Sequence, residues 1–305
     1  MTAPASRRSR LVPNAQYRAA LSPRGRSVLV TGASSGLGRV CALQLEEAGF
    51  RVFAGVRKEA DARALAEAGA HGRLVPVLVD VTDEKSVAAA AERISAEVGE
   101  DGLWGLVNNA GICVSAPLEC VSPQRLREQL DTNVVGQLAV TQAFLPLLRR
   151  TRGRVVNVTS GLGSVAIPFL GAYAAAQFAK EALTDVLRRE LAPQGVDVAL
   201  VQPGAIMTPI WGKVSDVARA AMDGVPEQLA ELYRIPFNRF LYQNERQARE
   251  SPTRPEDFAE TVRQALTARR PRTRYRVGPD ARKVSVLARV LPDTALDRYL
   301  RPITE

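Results

Sequence analysis

Cysteine and histidine are scarce in this chain, and long apolar runs are missing. Its 305 residues include three cysteines, which cannot all pair, and one histidine, and none of them has metal-ligand spacing. A zinc site is therefore not expected. No run approaches the ~18 consecutive apolar residues of a membrane helix, and the N-terminus lacks the ~7–15-residue apolar core of a secretory signal. We expect a globular protein without a metal or a transmembrane segment, in the reducing environment of the cytoplasm.

Lysine is scarce too, and the excess positive charge lies at the two ends. Only five of the 41 basic residues are lysines, and the net charge is +9. Residues 1–26 hold six arginines and no acid, residues 269–305 hold ten basic and four acidic residues, and residues 27–268 carry a net charge of −3. Basic ends of this kind are usually solvated arms, and neither end shows the aromatic–basic pattern of nucleic-acid recognition. We expect a flexible basic extension over 1–25 and no nucleic-acid partner.

Short apolar runs alternate with amphipathic helical patterns from residue 27 onward. The apolar runs lie at 28–30, 52–56, 74–79, 103–107, 155–158 and 198–201. The helical patterns lie at 40–48, 86–98, 126–148 and 173–191, and a last helix at 255–268 precedes a short strand at 274–277. Strands that are apolar on both faces and alternate with helices predict an α/β fold, with a parallel sheet covered on both sides.

This alternation predicts a single domain over residues 26–280. From about 209 to 255 it stops, and Met, Trp, Tyr, Phe and Arg residues mix with weak helical patterning. A doubly wound sheet places a substrate lid at such an insertion. The remaining segment, 281–305, is basic and amphipathic, and Pro292 interrupts it.

The first strand leads through a glycine-rich turn, TGASSGLG at 31–38, into a helix. Glycines at such a turn permit positive φ and a close approach of the backbone, and the helix N-terminus offers free N–H groups to a pyrophosphate. The spacing of these glycines differs from the common G-x-G-x-x-G fingerprint, so the turn alone is weak evidence for a dinucleotide site.

Polar residues also follow the later strands. Asp80 comes after the third strand, Asn-Asn-Ala-Gly at 108–111 after the fourth, and Pro-Gly at 203–204 after the sixth. Ser160 follows the fifth strand, and Tyr173 begins the next helix 13 residues later. Because the carboxyl ends of parallel strands share one edge of a sheet, these groups are expected to lie together at a ligand site.

Together these motifs resemble the classical short-chain dehydrogenase/reductases, most closely the branch with retinol, hydroxysteroid and 3-hydroxybutyrate dehydrogenases. The matching segments are 31–38, Asp80, 108–111, TNVVG at 132–136, Ser160, Tyr173 and 203–204. The resemblance implies a seven-stranded Rossmann-type sheet, a nicotinamide cofactor and a small-molecule substrate. It also implies a homodimer or homotetramer that uses the helices at 126–148 and 173–191.

The resemblance further implies individual roles. Tyr173 would give or take the proton, Ser160 would polarise the carbonyl, and Asn133 would hold a proton-relay water. The implied cofactor-binding residues are Gly32, Ser34, Ser35, Gly36, Leu37, Gly38, Asp80, Val81, Asn109, Ala110, Gly111, Gln177, Pro203, Gly204, Ile206 and Thr208.

One position departs from the family pattern. The family has Lys four residues after the catalytic Tyr, where it binds the nicotinamide ribose and lowers the tyrosine pKa, but this chain has Gln177. Gln177 lies on the face of Tyr173, about 6 Å along the helix, and can reach the ribose without a charge. Lys180 lies on the same face, about 10.5 Å along the helix. It could take the place of the missing lysine, but we expect it to be solvated or to face the lid. A phenol with a pKa of about 10 stays protonated at pH 7, which favours carbonyl reduction over alcohol oxidation.

The cofactor and the substrate class are predicted from two further segments. Arg57 and Lys58 follow the second strand, where NAD enzymes have an acid, and with Ser35 they would hold a 2′-phosphate; NADP(H) is favoured over NAD(H). The candidate pocket residues are mostly apolar and predict a bulky apolar carbonyl or alcohol. They are Ile112, Val114, Leu162, Ile167, Phe169 and Met207, with Ile210, Trp211, Tyr233, Phe237 and Phe240 from the lid.

Two other functions stay open from the sequence. The first is an enzyme of this fold that catalyses isomerisation, dehydration or cyclisation with Ser160 and Tyr173 intact. The second is a protein that binds the cofactor without catalysis, against which the presence of Asn133, Ser160 and Tyr173 argues.

Overall fold

The computed structural model describes residues 20–208 and 217–304, and a parallel sheet forms its centre. The seven strands are β1 (Ser27–Val30), β2 (Arg51–Val56), β3 (Leu74–Leu78), β4 (Gly105–Asn108), β5 (Arg154–Val158), β6 (Asp197–Pro203) and β7 (Arg274–Val277). Their order is β3-β2-β1-β4-β5-β6-β7, and every neighbouring pair is parallel. The predicted doubly wound Rossmann-type sheet of seven strands is confirmed.

Helices connect the strands and cover both faces of the sheet. They are α1 (Gly36–Glu47), α2 (Glu59–Ala68), α3 (Glu84–Val98), α4 (Pro123–Leu130), α5 (Gly136–Thr151), α6 (Gly171–Leu191), α7 (Glu227–Glu250), α8 (Pro255–Thr267), α9 (Pro279–Val290) and α10 (Asp293–Leu300). Because the strand order reverses between β1 and β4, a crevice forms there beyond the carboxyl ends of the strands, where α/β sheets bind their ligands.

Each face of the sheet has its own apolar core. On one face Leu45 of α1 and Phe258 of α8 are fully buried against the strands. On the other face Ile94 of α3 and Phe144 of α5 are fully buried in the same way. Strands covered on both sides carry apolar residues at consecutive positions, which explains why the sequence showed them as continuous apolar runs.

The helix expected over 126–148 is present, but a π-helical segment interrupts its α-helical hydrogen bonding. α4 ends at Leu130, a π-helical segment covers Asp131–Val135, and α5 begins at Gly136. A Cβ at Gly136 would lie 2.6 Å from the carbonyl oxygen of Val81, so α5 passes close to the backbone after β3. π-Helical segments are rare overall, but those that occur inside helices are often found at functional sites. Here the segment carries Asn133.

The lid is more helical than its sequence pattern indicated. α7 has 24 residues and contains Pro236, and it buries only Phe237, Phe240 and Ala248. So narrow an apolar stripe gives a weak periodic signal, which is why the helix was not predicted. Ile210 and Trp211, which the sequence assigned to the lid, lie outside the described residues.

The two ends of the domain differ in what can be described. Of the basic extension predicted over 1–25, only residues 20–25 are described, and there the Leu21 N–H donates to the Thr267 carbonyl at 2.7 Å. At the other end, α9 and α10 are separated at Pro292. Within the two described ranges, no helix combines the length and the apolar character needed to cross a bilayer.

Candidate active site

The glycine-rich turn after β1 packs directly against the segment after β4. The Thr31 hydroxyl accepts hydrogen bonds from the backbone N–H groups of Asn109 and Ala110, each 3.0 Å long. The Asn109 side-chain amide donates to the Thr31 carbonyl at 2.9 Å. A Cβ at Gly38 would lie 2.2 Å from the Gly32 carbonyl oxygen, and one at Gly32 would lie 2.8 Å from the Ala110 Cα. The glycines therefore allow a backbone contact that any side chain would prevent.

The same turn leaves the N-terminus of α1 available to a ligand. α1 begins at Gly36, where φ is +55°. Its N-cap residue, Ser35, makes no side-chain capping bond to any described residue, and Ser34 and Ser35 are partly accessible. Thr208, from the segment after β6, lies beside Gly36, 3.5 Å from a Cβ built there. The first turn of α1 can therefore bind a pyrophosphate next to this segment.

Three charged residues lie beyond the carboxyl ends of the neighbouring strands β2 and β3. They are Arg57, Lys58 and Asp80. Arg57 and Lys58 follow β2 and are exposed. Asp80 Oδ1 accepts hydrogen bonds from the Thr82 N–H at 3.0 Å and the Thr82 hydroxyl at 2.7 Å. Burial would raise the pKa of the Asp80 carboxyl, but these hydrogen bonds and the charge of Arg57 outweigh it and hold the pKa below its ordinary value. Asp83, rather than Asp80, caps α3.

Ser160 and Tyr173 are brought together as the sequence predicted. Ser160 follows β5, Tyr173 lies in the first turn of α6, and the Ser160 side chain is close enough to act on the Tyr173 phenol. Burial and, next, the Cys113 thiol raise the pKa of the Tyr173 phenol, and the Ser160 side chain opposes them only in part. Burial also raises the pKa of the Cys113 thiol to about 12. The phenol is therefore neutral at pH 7.

Asn133 lies in the π-helical segment and is 1% exposed. Its Oδ1 accepts from the Ile112 N–H at 2.9 Å, and its Nδ2 donates to the Ile112 carbonyl at 3.1 Å. A Cβ at Gly111 would lie 3.3 Å from the same amide nitrogen. The side chain thus fixes the segment after β4.

Gln177 lies one turn after Tyr173 and is 2% exposed. Its Oε1 is buried and has no hydrogen-bond partner among the described residues. A buried acceptor without a partner costs about 1–3 kcal/mol. A hydroxyl group of a bound ribose would satisfy this oxygen, which supports the position predicted for Gln177 in the cofactor site.

The expectation that Lys180 is solvated or faces the lid is wrong. The side chain is 2% exposed, and its Nζ donates to the Val158 carbonyl, at the end of β5, at 2.5 Å. Lys180 shares the buried stripe of α6 with Gln177 and Thr184, so it faces the sheet. Burial lowers the pKa of the amine to about 7, and the opposing effect of Glu181 is smaller.

A second set of buried polar groups next to Lys180 was not found from the sequence. Glu181 Oε1 accepts from the Thr159 hydroxyl at 2.9 Å and from the Gln202 amide at 2.8 Å. Glu181 Oε2 pairs with the Arg274 Nε at 3.0 Å. The network connects the ends of β5 and β6 and the first residue of β7 to α6, and it fixes Thr159, which directly precedes Ser160. No spacing along the chain marks these residues, because they come from four separate elements.

Apolar side chains cover Tyr173 on the lid side. The Phe169 ring lies 5.4 Å from the Phe237 ring and 5.3 Å from the Phe240 ring, between centroids. The predicted pocket residues that join this cluster with Tyr173 are Leu162, Ile167, Phe169, Tyr233, Phe237 and Phe240, and Cys113 and Ala116 join it without having been predicted. Val114 is buried outside the cluster, Met207 is 41% exposed, and Ile112 is held by Asn133.

The residues predicted to bind the cofactor fit a dinucleotide at the edge formed by the strand ends. Some of them can contribute only backbone groups. Val81 and Ile206 have side chains in the apolar cores, Pro203 is buried at the end of β6, and Leu37 packs against the core of its face.

In the part of the chain that the structure describes, no group of three or more His, Cys, Asp or Glu residues could hold a metal ion.

Comparisons with known proteins agree with this geometry. A family model described as short chain dehydrogenase matches residues 26–218. A 3-amino-tetrahydro-pyrrolizinone reductase of Xenorhabdus hominickii is 44% identical over 90% of this chain and 94% of its own length. Retinol dehydrogenase 5 of Mus musculus is 37% identical over 90% and 87%. A crystal structure of a short chain dehydrogenase from Burkholderia cenocepacia J2315 in complex with NADP has a TM-score of 0.70 at 29% identity, covering 92% of this chain and 99% of the other.

The buried amine of Lys180 predicts a specific dependence of stability on pH. Between pH 7 and the ordinary lysine value of 10.5 the unfolded chain binds a proton that the folded chain does not, so this residue makes stability rise with pH. Lys180→Met removes the effect. The difference in unfolding free energy between wild type and variant should change by up to about 1.4 kcal/mol per pH unit in that window.

Urea unfolding at pH 7, 8 and 9 measures this difference. Lys85→Met, at an exposed position on α3, is the matched control and should run parallel to wild type. Parallel curves for wild type and Lys180→Met would contradict the assignment.

Proposed function

Because the chain belongs to the short-chain dehydrogenase/reductase family, we propose that it reduces the carbonyl of a bulky apolar substrate with NADPH. The family is enzymatic, and the relatives are named reductases and dehydrogenases. The observation that carries the proposal is the Tyr173 phenol, which burial keeps neutral beside Ser160, followed one turn later by an uncharged Gln177.

The proposed reaction uses the chain's own groups for the proton. NADPH, when bound, would supply a hydride for the carbonyl carbon. Ser160 would hydrogen-bond to the carbonyl oxygen and polarise it, and Tyr173 would donate its phenolic proton to the same oxygen, which becomes the alcohol. The phenolate left on Tyr173 would regain a proton from water before the next turnover. Gln177 would accept a hydrogen bond from the nicotinamide ribose through its unpaired Oε1.

The electrostatics of the site favour reduction over oxidation. Oxidation of an alcohol needs the phenolate of Tyr173 as a base, and a cation on the next turn would stabilise it. Here the next turn carries the neutral Gln177, and burial raises the pKa of the phenol further. Reduction needs the protonated phenol, which is the form that this environment maintains.

Two exposed cations support NADP(H) over NAD(H). Arg57 and Lys58 follow β2, where the adenosine ribose of a dinucleotide is bound in this fold, and Arg57 acts electrostatically on Asp80. Both can pair with a 2′-phosphate. The related Burkholderia cenocepacia protein was crystallised in complex with NADP.

An apolar substrate is supported by the cluster around Tyr173. Phe169, Phe237 and Phe240 belong to an apolar cluster against which Tyr173 packs. Relatives are named for retinol and for an amino-tetrahydro-pyrrolizinone.

For the quaternary state we propose a homo-oligomer through α5 and α6, because Phe178 and Val186 of α6 are each 45% exposed.

The proposal predicts that turnover depends on the phenol. Tyr173→Phe should lower NADPH-dependent reduction by at least about 100-fold, since a positioned general acid contributes about 10²–10⁴ in rate. The assay follows NADPH absorbance with a panel of bulky apolar ketones and aldehydes. Tyr242→Phe, on the exposed side of α7, is the matched control and should keep full activity. Cofactor binding without turnover across the panel would favour non-redox chemistry or a non-enzyme.

Cofactor preference should depend on Arg57. Arg57→Ala should weaken NADPH binding by about tenfold, the effect of one lost charge-assisted hydrogen bond, and should leave NADH binding unchanged. Isothermal titration calorimetry with both cofactors measures the ratio. Arg63→Ala, at an exposed position on the following helix, is the matched control. Equal losses for NADPH and NADH would remove Arg57 from its proposed role.

Direction should depend on Gln177. Gln177→Lys places a cation one turn from Tyr173 and should raise alcohol oxidation at pH 7 by about tenfold or more, which corresponds to one unit of phenol pKa. Initial rates with NADP⁺ and the alcohol product of the reduction assay test this. Gln177→Met, neutral and of similar length, should give no increase. The same rate for the Lys and Met variants would contradict the electrostatic argument.

A further inference from the structure

The first turn of α9 lies over two of the loops that form the site. Asp280 Oδ2 accepts a hydrogen bond from the Ala205 N–H at 2.6 Å, just after the end of β6. A Cβ at Gly161, which directly follows Ser160, would lie 3.5 Å from the Ala281 Cα. α9 lies outside residues 26–218, which the family model matches, so this contact belongs to the present chain's C-terminal part.

The Asp280 carboxylate occupies space that side chains at Gly204 and Gly278 would fill. A Cβ at Gly204 would lie 2.0 Å from Asp280 Oδ1, and one at Gly278 would lie 2.6 Å from the same oxygen. Gly204 does not have a positive φ, so glycine is needed there for space rather than for backbone conformation. The Gly204 N–H also donates to the Val277 carbonyl at 2.9 Å. The end of β6, the end of β7 and the start of α9 therefore form one fixed unit.

We propose, on the basis of the proposed function, that Asp280 is a positioning residue for the nicotinamide end of the cofactor. It engages Ala205, at the start of the segment that continues to Ile206 and Thr208, both of which belong to the predicted cofactor site. By fixing the direction of the Ala205 N–H, the carboxylate sets the path of this backbone segment towards the nicotinamide. Asp280 acts through the backbone and does not touch the cofactor.

The proposal separates the two ends of the cofactor. Arg57 and Asp80 follow β2 and β3, whereas Asp280 contacts the segment after β6, and β1, β4 and β5 lie between them in the sheet. Hydrogen bonds to an ionised acceptor are stronger than neutral ones, so losing this one should loosen the segment after β6. The adenosine end of the site should stay as it is.

Binding of two ligands to the full chain tests this separation. NADPH occupies both ends of the site, and 2′,5′-ADP occupies the adenosine end only. Asp280→Ala should weaken NADPH binding by about tenfold, the effect of about one hydrogen bond, and leave the affinity for 2′,5′-ADP within about twofold of wild type. The increase in NADPH fluorescence on binding, which reports the surroundings of the nicotinamide, should fall in the same variant.

Three further variants are controls for charge, for the helix and for folding. Asp280→Asn keeps an acceptor oxygen and should bind NADPH within about threefold of wild type. Arg282→Ala, exposed on the same helix, should match wild type for both ligands. Asp280→Ser, a polar replacement too short to reach the Ala205 N–H in the same way, should reproduce the selective loss of NADPH, which provides a second test if Asp280→Ala does not fold.

The outcomes distinguish this inference from the proposed function. Equal losses of NADPH and 2′,5′-ADP in Asp280→Ala would show a merely structural role and overturn the inference, and so would unchanged binding of both ligands. If the wild-type protein binds neither ligand, the proposed function itself fails and the inference fails with it.

Discussion

The closeness of the Ser160 side chain to the partly buried Tyr173 phenol, with a neutral residue on the next helical turn, is the feature on which the site depends. It needs β5 and α6 to end and begin at the same edge of the sheet, which the parallel order of β4, β5 and β6 provides. It also needs the phenol to stay protonated, and burial ensures this. The proposed reduction rests on the same two features, because it starts from a neutral phenol that donates a proton.

The lysine that this chain does have on α6 is used differently. Lys180 faces the sheet, and its amine donates a hydrogen bond to the Val158 carbonyl at the end of β5. Burial lowers the pKa of this amine to about 7. An amine that is only partly protonated at neutral pH stabilises a phenolate less than a full cation does. Beside it, Glu181 fixes the residue that precedes Ser160. Lys180 and Glu181 therefore hold the backbone at the end of β5 in place. They do not supply the positive charge that a lysine at position 177 would have supplied.

The sequence predicted the sheet correctly and brought the candidate site residues to one edge of it, since both depend on short-range patterns. Strands buried on both faces appear as apolar runs, and the polar residues that follow them must share one edge. Lys180 could not be placed in this way: helical periodicity puts it on the face of Tyr173, but which neighbour covers that face depends on the packing of α6 against β5. The π-helical segment around Asn133 and the contact between Asp280 and Ala205 likewise depend on contacts between distant residues.

Phe169 shows how the lid and the catalytic helix are joined. Its φ of +67° is unusual for a bulky residue, and a left-handed conformation costs about 1–2 kcal/mol. The cost is offset by hydrogen bonds from the Ala116 N–H at 2.9 Å and the Ser115 hydroxyl at 3.2 Å to its carbonyl, and by the packing of its ring on two aromatic residues of α7. α6 begins two residues later, at Gly171. The aromatic rings of α7 thus hold the residue that leads into the first turn of α6, so the packing of α7 and the placement of the Tyr173 phenol are parts of one arrangement.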